Sequence, residues 1–131
     1  MAVVHAERFM KNPDVAIVAL CDVSSEVMER FKADTALDAV EPAPTLFTDA
    51  ATLFAEAELD AVIIITPHRL HFDHAMLAAD AGLHVFMEKP MVISSAQAHA
   101  FASRFRDLEG FYSGLVMSGF RSKGSGVVVC S

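Results

Sequence analysis

The chain has 131 residues, of which 53% are hydrophobic, and a formal net charge of -7. That length suits one domain, and that apolar share suits a buried core rather than a disordered chain. The acidic balance argues against a nucleic-acid partner, which needs clustered Lys and Arg, but leaves room for a small phosphate ligand held by backbone amides.

Val3 to Lys11 reads as a helix, stopped by Asn12-Pro13-Asp14. This start carries His5, Glu7 and Arg8 and no long apolar stretch, so it does not resemble a secretory leader. Val15 to Cys21 (VAIVALC) is an unbroken apolar run with β-branched residues, the pattern of a strand buried on both faces of a parallel sheet. Cys21 reads as a small buried hydrophobe. With Cys130 far away, the two cysteines form neither a disulfide framework nor a zinc ribbon.

Ser24 or Ser25 caps a helix through Ala33, with Val27, Met28 and Phe31 on its apolar face. Glu41-Pro42-Ala43-Pro44 breaks the chain before a short strand at Thr45 to Phe47. Asp49 caps a helix bearing Leu53 and Phe54. Leu59 to Thr66 (LDAVIIIT) is the second strong strand, closed by Pro67. Its apolar run, Ala61 to Ile65, is far too short to span a bilayer, so the protein reads as soluble and cytoplasmic, with no membrane partner.

His71 to Ala81 forms an Ala-rich helix stopped by Gly82, and His84 to Met87 is a third buried strand running into Glu88-Lys89-Pro90. Ser94 or Ser95 caps a helix to about Leu108, and Phe111 to Ser118 reads as a last strand. From Arg121 a Ser/Gly-rich link leads to Val127-Val128-Val129-Cys130. The domain expectation is one partial unit over 1–120, with a link and short apolar tail over 121–131. Strands alternating with helices imply a doubly wound parallel sheet.

Asp22 follows a buried strand directly. In a dinucleotide fold an acid at that point accepts hydrogen bonds from the adenosine ribose and repels a 2′-phosphate, which favours NAD over NADP. The alternative is a helix cap or a solvated acid. Thr66-Pro67 ends the second strong strand, where ligands sit in open parallel sheets, although it also serves as plain punctuation. His68, His71 and His74 cluster with Asp73 but lack His-x-x-x-His spacing, so no metal is expected. One histidine should shape the loop or touch cofactor while the others are solvated. Glu88-Lys89-Pro90 puts two charges where a ligand cleft should lie. A lysine there can bind a ribose or substrate hydroxyl and stabilise a developing alkoxide, or it can simply be an exposed charge at a turn.

Together these features resemble the glucose-fructose oxidoreductase and inositol dehydrogenase family (Gfo/Idh/MocA) over roughly residues 5 to 108. The stretch LDAVIIITPHRLHFDHAMLAADAGLHVFMEKPM is similar to that family's strand, Thr-Pro-x-x-x-His loop, Ala-rich helix, Ala-Gly-x-His-Val strand and Glu-Lys-Pro motif, in order. The run HAERFMKNPDVAIVALCDVS is similar to its first helix, second strand and ribose-binding acid. The resemblance implies a Rossmann-like fold and an NAD(P)-dependent oxidoreductase acting on a sugar, inositol or related polyol. It implies Asp22, Thr66, Pro67, His71, Glu88 and Lys89 at the cofactor, with Lys89 also near the reacting carbon.

Two departures from the family qualify this. No glycine precedes Gly82, so the first strand and its glycine-rich phosphate loop have no counterpart before His5. The family's second α/β domain, with its substrate sheet and catalytic histidine, has none either. The chain is therefore expected to be an incomplete dinucleotide fold that does not turn over alone. A non-catalytic dinucleotide-sensing or protein-binding module is the rival reading. The missing strand is the central one, so Val15–Cys21 and Ala61–Thr66 would have open edges. They would pair with each other, recruit a partner chain in self-association, or accept the terminal Gly126–Cys130 run.

Overall fold

The computed structural model describes residues 2–106, together with the backbone of 111–113 and 126–130. In chain order these form α1 (Ala2–Met10), β1 (Ala16–Cys21), α2 (Ser25–Thr35), a short 3-10 turn (Leu37–Ala39), β2 (Thr45–Phe47), α3 (Ala50–Glu56), β3 (Ala61–Ile64), α4 (His68–Asp80), β4 (His84–Met87), α5 (Ser95–Phe105), β5 (Phe111–Ser113) and β6 (Gly126–Cys130). All strand pairs are parallel, in the order β2-β1-β6-β3-β4-β5.

The run Gly126–Cys130 supplies the strand between β1 and β3. β6 lies between β1 and β3, with Val128 in register with Ala19 on one side and Val62 on the other. It takes the place that the first strand holds in the 3-2-1-4-5-6 order of a dinucleotide-binding sheet. The open edges from which self-association was expected are therefore paired at this gap, because ladder groups in an apolar layer need partners.

Strand periodicity decides which residues face which layer. Val62 and Ile64 pack with Leu53, Ala75, Ala78 and Phe101 on the face covered by α3, α4 and α5. Ala61 and Ile63 pack with Ala6, Phe9, Met28 and Leu37 on the face covered by α1, α2 and the 3-10 turn. In β1 the alternation slips. Ile17 and Leu20 share one face although they are three apart, because a register shift between Ile17 and Ala19 inserts an extra residue against β6.

The caps follow the sequence. Ser24 Oγ accepts the Val27 N–H, Asp49 Oδ2 the Thr52 N–H, and Ser94 Oγ the Gln97 N–H, each relieving one orphan donor of a helix start. Gly82 ends α4 at φ +72°, a conformation that needs no Cβ.

Three expectations change. Val27 is 49% exposed, whereas Met28 is buried, so the apolar face of α2 is narrower than predicted. β3 is shorter than Leu59–Thr66 because its pairing with β4 runs only from Ala61–His84 to Ile64–Met87. α4 begins at His68 rather than His71. Pro67 sits at its cap with no side-chain bond, and the polar first turn His68-Arg69 hides the helical period. The last helix ends at Phe105 with Arg106 as its cap, and residues 107–108 of the helix predicted to Leu108 and 114–118 of the strand predicted to Ser118 lie outside the described residues.

Candidate functional site

The C-terminal ends of β1, β2 and β3 open into a cleft of about 640 Å³. Its walls include Cys21, Asp22 and Val23 after β1, Thr48 and Asp49 after β2, Thr66 and Pro67 after β3, and Arg69, Leu70, Asp73 and His74 from α4. Three of the residues singled out in the sequence, Asp22, Thr66 and Pro67, thus meet in one cavity although Asp22 and Thr66 come from separate strands. His71, Glu88 and Lys89 do not line it.

Asp22 is half-buried. Its Oδ1 accepts the Ser24 N–H at 2.9 Å, which turns the chain out of β1, and its own N–H donates to Phe47 O. It is not the helix cap. That role belongs to Ser24. Thr66 is buried, and among the described residues its hydroxyl has no hydrogen-bond partner although it sits at the cleft wall. A buried polar atom without a partner is uncommon and suits a site completed by a ligand. A carboxylate at a strand end, an orphan hydroxyl and walls bearing Val23, Leu70 and Leu77 fit the adenosine half of a dinucleotide. Among the described residues no glycine lines the cleft to let backbone approach a pyrophosphate.

His71 is fully buried and acts as a strut. Its Nε2 lies 2.7 Å from Thr66 O and its Nδ1 2.7 Å from Pro90 O, so one ring joins the loops leaving β3 and β4. Of the other loop histidines, His68 is exposed and His74 is half-buried. Burial holds His74 below the usual histidine range, against the opposing pull of the Asp73 carboxylate. Only one of the two is therefore solvated as expected. Among the described residues, no group of three or more His, Cys, Asp or Glu side chains could hold a metal ion.

Glu88 continues the β4 ladder through its N–H to Ile64 O at 3.1 Å. Its Oε1 lies 2.6 Å from Nε2 of His5, a buried residue of α1. That hydrogen bond holds the Glu88 carboxyl below its ordinary range, against the opposing effect of partial burial. Lys89 is exposed at the turn. The role of His5 is invisible in the sequence because its partner is 83 residues away. Arg69 is equally hidden as a wall of the same cleft as Asp22.

Both lowered groups give stability the same sign with pH. A depressed folded pKa means that the unfolded chain takes up the proton first as pH falls. His74 should therefore withdraw stability below its ordinary value near 6.5, and Glu88 should do so further into acid. Urea midpoints should fall from pH 7 to 5.5, and His74→Gln should flatten that limb. A midpoint independent of pH over this range would contradict the burial of a neutral His74.

The NAD-binding Rossmann-fold model of the oxidoreductase family Gfo/Idh/MocA matches residues 1–113. D-Glucoside 3-dehydrogenase of Escherichia coli is 29% identical over 105 residues, which make up 80% of this chain and 28% of that protein. Myo-inositol 2-dehydrogenase from Lactobacillus plantarum superposes with a TM-score of 0.70 at 25% identity, over 85% of this chain and 32% of that one. The WlbA dehydrogenase from Bordetella pertussis, solved with NADH and UDP-GlcNAcA, gives a TM-score of 0.70 at 23% identity, over 85% and 32% of the two chains. The chain spans less than a third of the length of each of these relatives. Among the described residues no helix is long and apolar enough to cross a membrane. With the parallel sheet, the cleft at its strand ends and the match over residues 1–113, the chain belongs to the Gfo/Idh/MocA oxidoreductase family and carries its NAD-binding Rossmann fold.

Proposed function

We propose that this chain is the cofactor-holding part of an NAD(P)-dependent oxidoreductase acting on a sugar, inositol or related polyol, and that the 131 residues bind the nucleotide without turning over by themselves. The observation that carries this reading is the meeting of Asp22 with Thr66 and Pro67 in one cleft at the strand ends.

In this reading Asp22 accepts the ribose hydroxyls and disfavours a 2′-phosphate, so NAD is preferred over NADP. Thr66 and Pro67 border the cofactor, and the Thr66 hydroxyl gains a partner. His71 holds the loop, and Glu88 flanks the reacting end. Lys89 reaches the nicotinamide ribose, orients the reacting oxygen and stabilises charge that builds on it. A nicotinamide held there would supply or accept the hydride. The names of the relatives support a polyol-like substrate.

The test is titration of the chain with NADH and NADPH beside Asp22→Ala. Saturable NADH binding is expected, weakened about tenfold or more in the variant, the size of hydrogen bonds to a charged acceptor. NADPH should bind more weakly than NADH to the native chain and gain relative to NADH in the variant. A folded chain that binds neither nucleotide would overturn the reading.

A further inference from the structure

The Glu88-Lys89-Pro90 turn is gripped from both layers of the fold. From the face covered by α1, His5 Nε2 holds Glu88 Oε1 at 2.6 Å. From the face covered by α4, His71 Nδ1 holds Pro90 O at 2.7 Å, while its Nε2 reaches Thr66 O at 2.7 Å. Both rings are buried, His71 completely, whereas Lys89 between their two attachment points is exposed. The turn is also fixed at its start by Glu88 N–H to Ile64 O.

We infer that His5 and His71 are positioning residues for Lys89, each fixing one of its chain neighbours so that the ammonium is presented in one place. A lysine side chain already loses rotamer entropy when it meets a ligand, so a fixed backbone limits what else must be ordered at that moment. A contact misplaced by a loose supporting residue loses most of its value. The inference rests on Lys89 meeting the cofactor, as proposed above, and its test separates the two.

The decisive substitution is His5→Phe, which keeps a ring against Phe86, its T-shaped neighbour at 5.4 Å, but removes the donor to Glu88. His5→Gln restores a donor. NADH affinity is measured for both, each with Lys89 and with Lys89→Met. With Lys89 present, His5→Phe should weaken NADH about fivefold. In the Lys89→Met background it should weaken it less than about twofold, the non-additivity expected of groups acting as a unit. His5→Gln should recover affinity to within about twofold of native. Equal losses in both backgrounds, or a glutamine no better than phenylalanine, would make His5 a plain stability contact and overturn the inference.

If Lys89→Met leaves NADH affinity unchanged, or the chain binds no NADH, the role proposed for Lys89 fails on its own. Placement is then read without ligand, from acylation of Lys89 by acetic anhydride relative to exposed Lys11, followed by peptide mass. A relative rate changed about twofold or more by His5→Phe and restored by His5→Gln supports positioning. An unchanged rate overturns it. His5→Ala takes the place of His5→Phe should that variant not fold.

Discussion

Val128→Pro should cost the chain about 3 kcal/mol or more and remove most of its cooperative unfolding transition. Val128 is in register with strands on both sides, Ala19 in β1 and Val62 in β3. Proline removes a ladder donor there and forces the backbone off the pleat. Each ladder hydrogen bond is worth only about 1 kcal/mol net, but a buried carbonyl left without its donor costs roughly 1–3 kcal/mol. Parting β6 from either neighbour would expose the edges of β1 and β3 within the apolar layer, against a total stability of about 5–15 kcal/mol. Urea unfolding followed by circular dichroism measures the loss. Native-state exchange at Val127, Val128 and Val129 should be as slow as global unfolding. Fast exchange there, with an unchanged urea midpoint for the proline variant, would mean that the centre of the sheet does not depend on this strand.

His71→Leu should destabilise the chain by about 1–3 kcal/mol, because the ring nitrogen that carries the proton donates to one of two carbonyls, of Thr66 or Pro90, each 2.7 Å away, and that carbonyl loses its donor. Leucine fills much of the volume, so the loss reports the polar contacts more than a cavity. His68→Leu is the matched control. His68 is exposed, and a substitution there should stay within about 0.5 kcal/mol. Comparable losses at the two positions would show that the strut between the β3 and β4 loops contributes nothing particular. The same variant should loosen the turn carrying Lys89, so its effect on nucleotide affinity is read only where the fold persists. For that reason His5, rather than His71, carries the test of positioning.

The legibility of the fold varied with the range of the forces involved. β2 and β4 match their predicted bounds, and Ser24, Asp49 and Ser94 act as caps, because apolar run length and cap chemistry act over a few residues. α4 was predicted three residues short, since its start relies on Pro67 and backbone rather than on a capping side chain. In β1 the buried run was legible, but the shift that puts Ile17 and Leu20 on one face was not. A register shift is a property of a pair of strands and not of either one.

The sequence by itself determined the alternating parallel-sheet class, the helix caps, the strand-end positions of Asp22, Thr66 and Glu88, and the family. All of these rest on local periodicity or on contiguous motifs. Only the tertiary structure decided that Gly126–Cys130 is the central strand, that Asp22 and Thr66 share a wall with Arg69 and His74, and that His5 grips Glu88 across 83 residues. Such pairings between distant segments are chosen by the shared need of buried edges and buried polar atoms for partners. That need is felt only once the layers have packed, and no local pattern along the chain records which distant group will meet it.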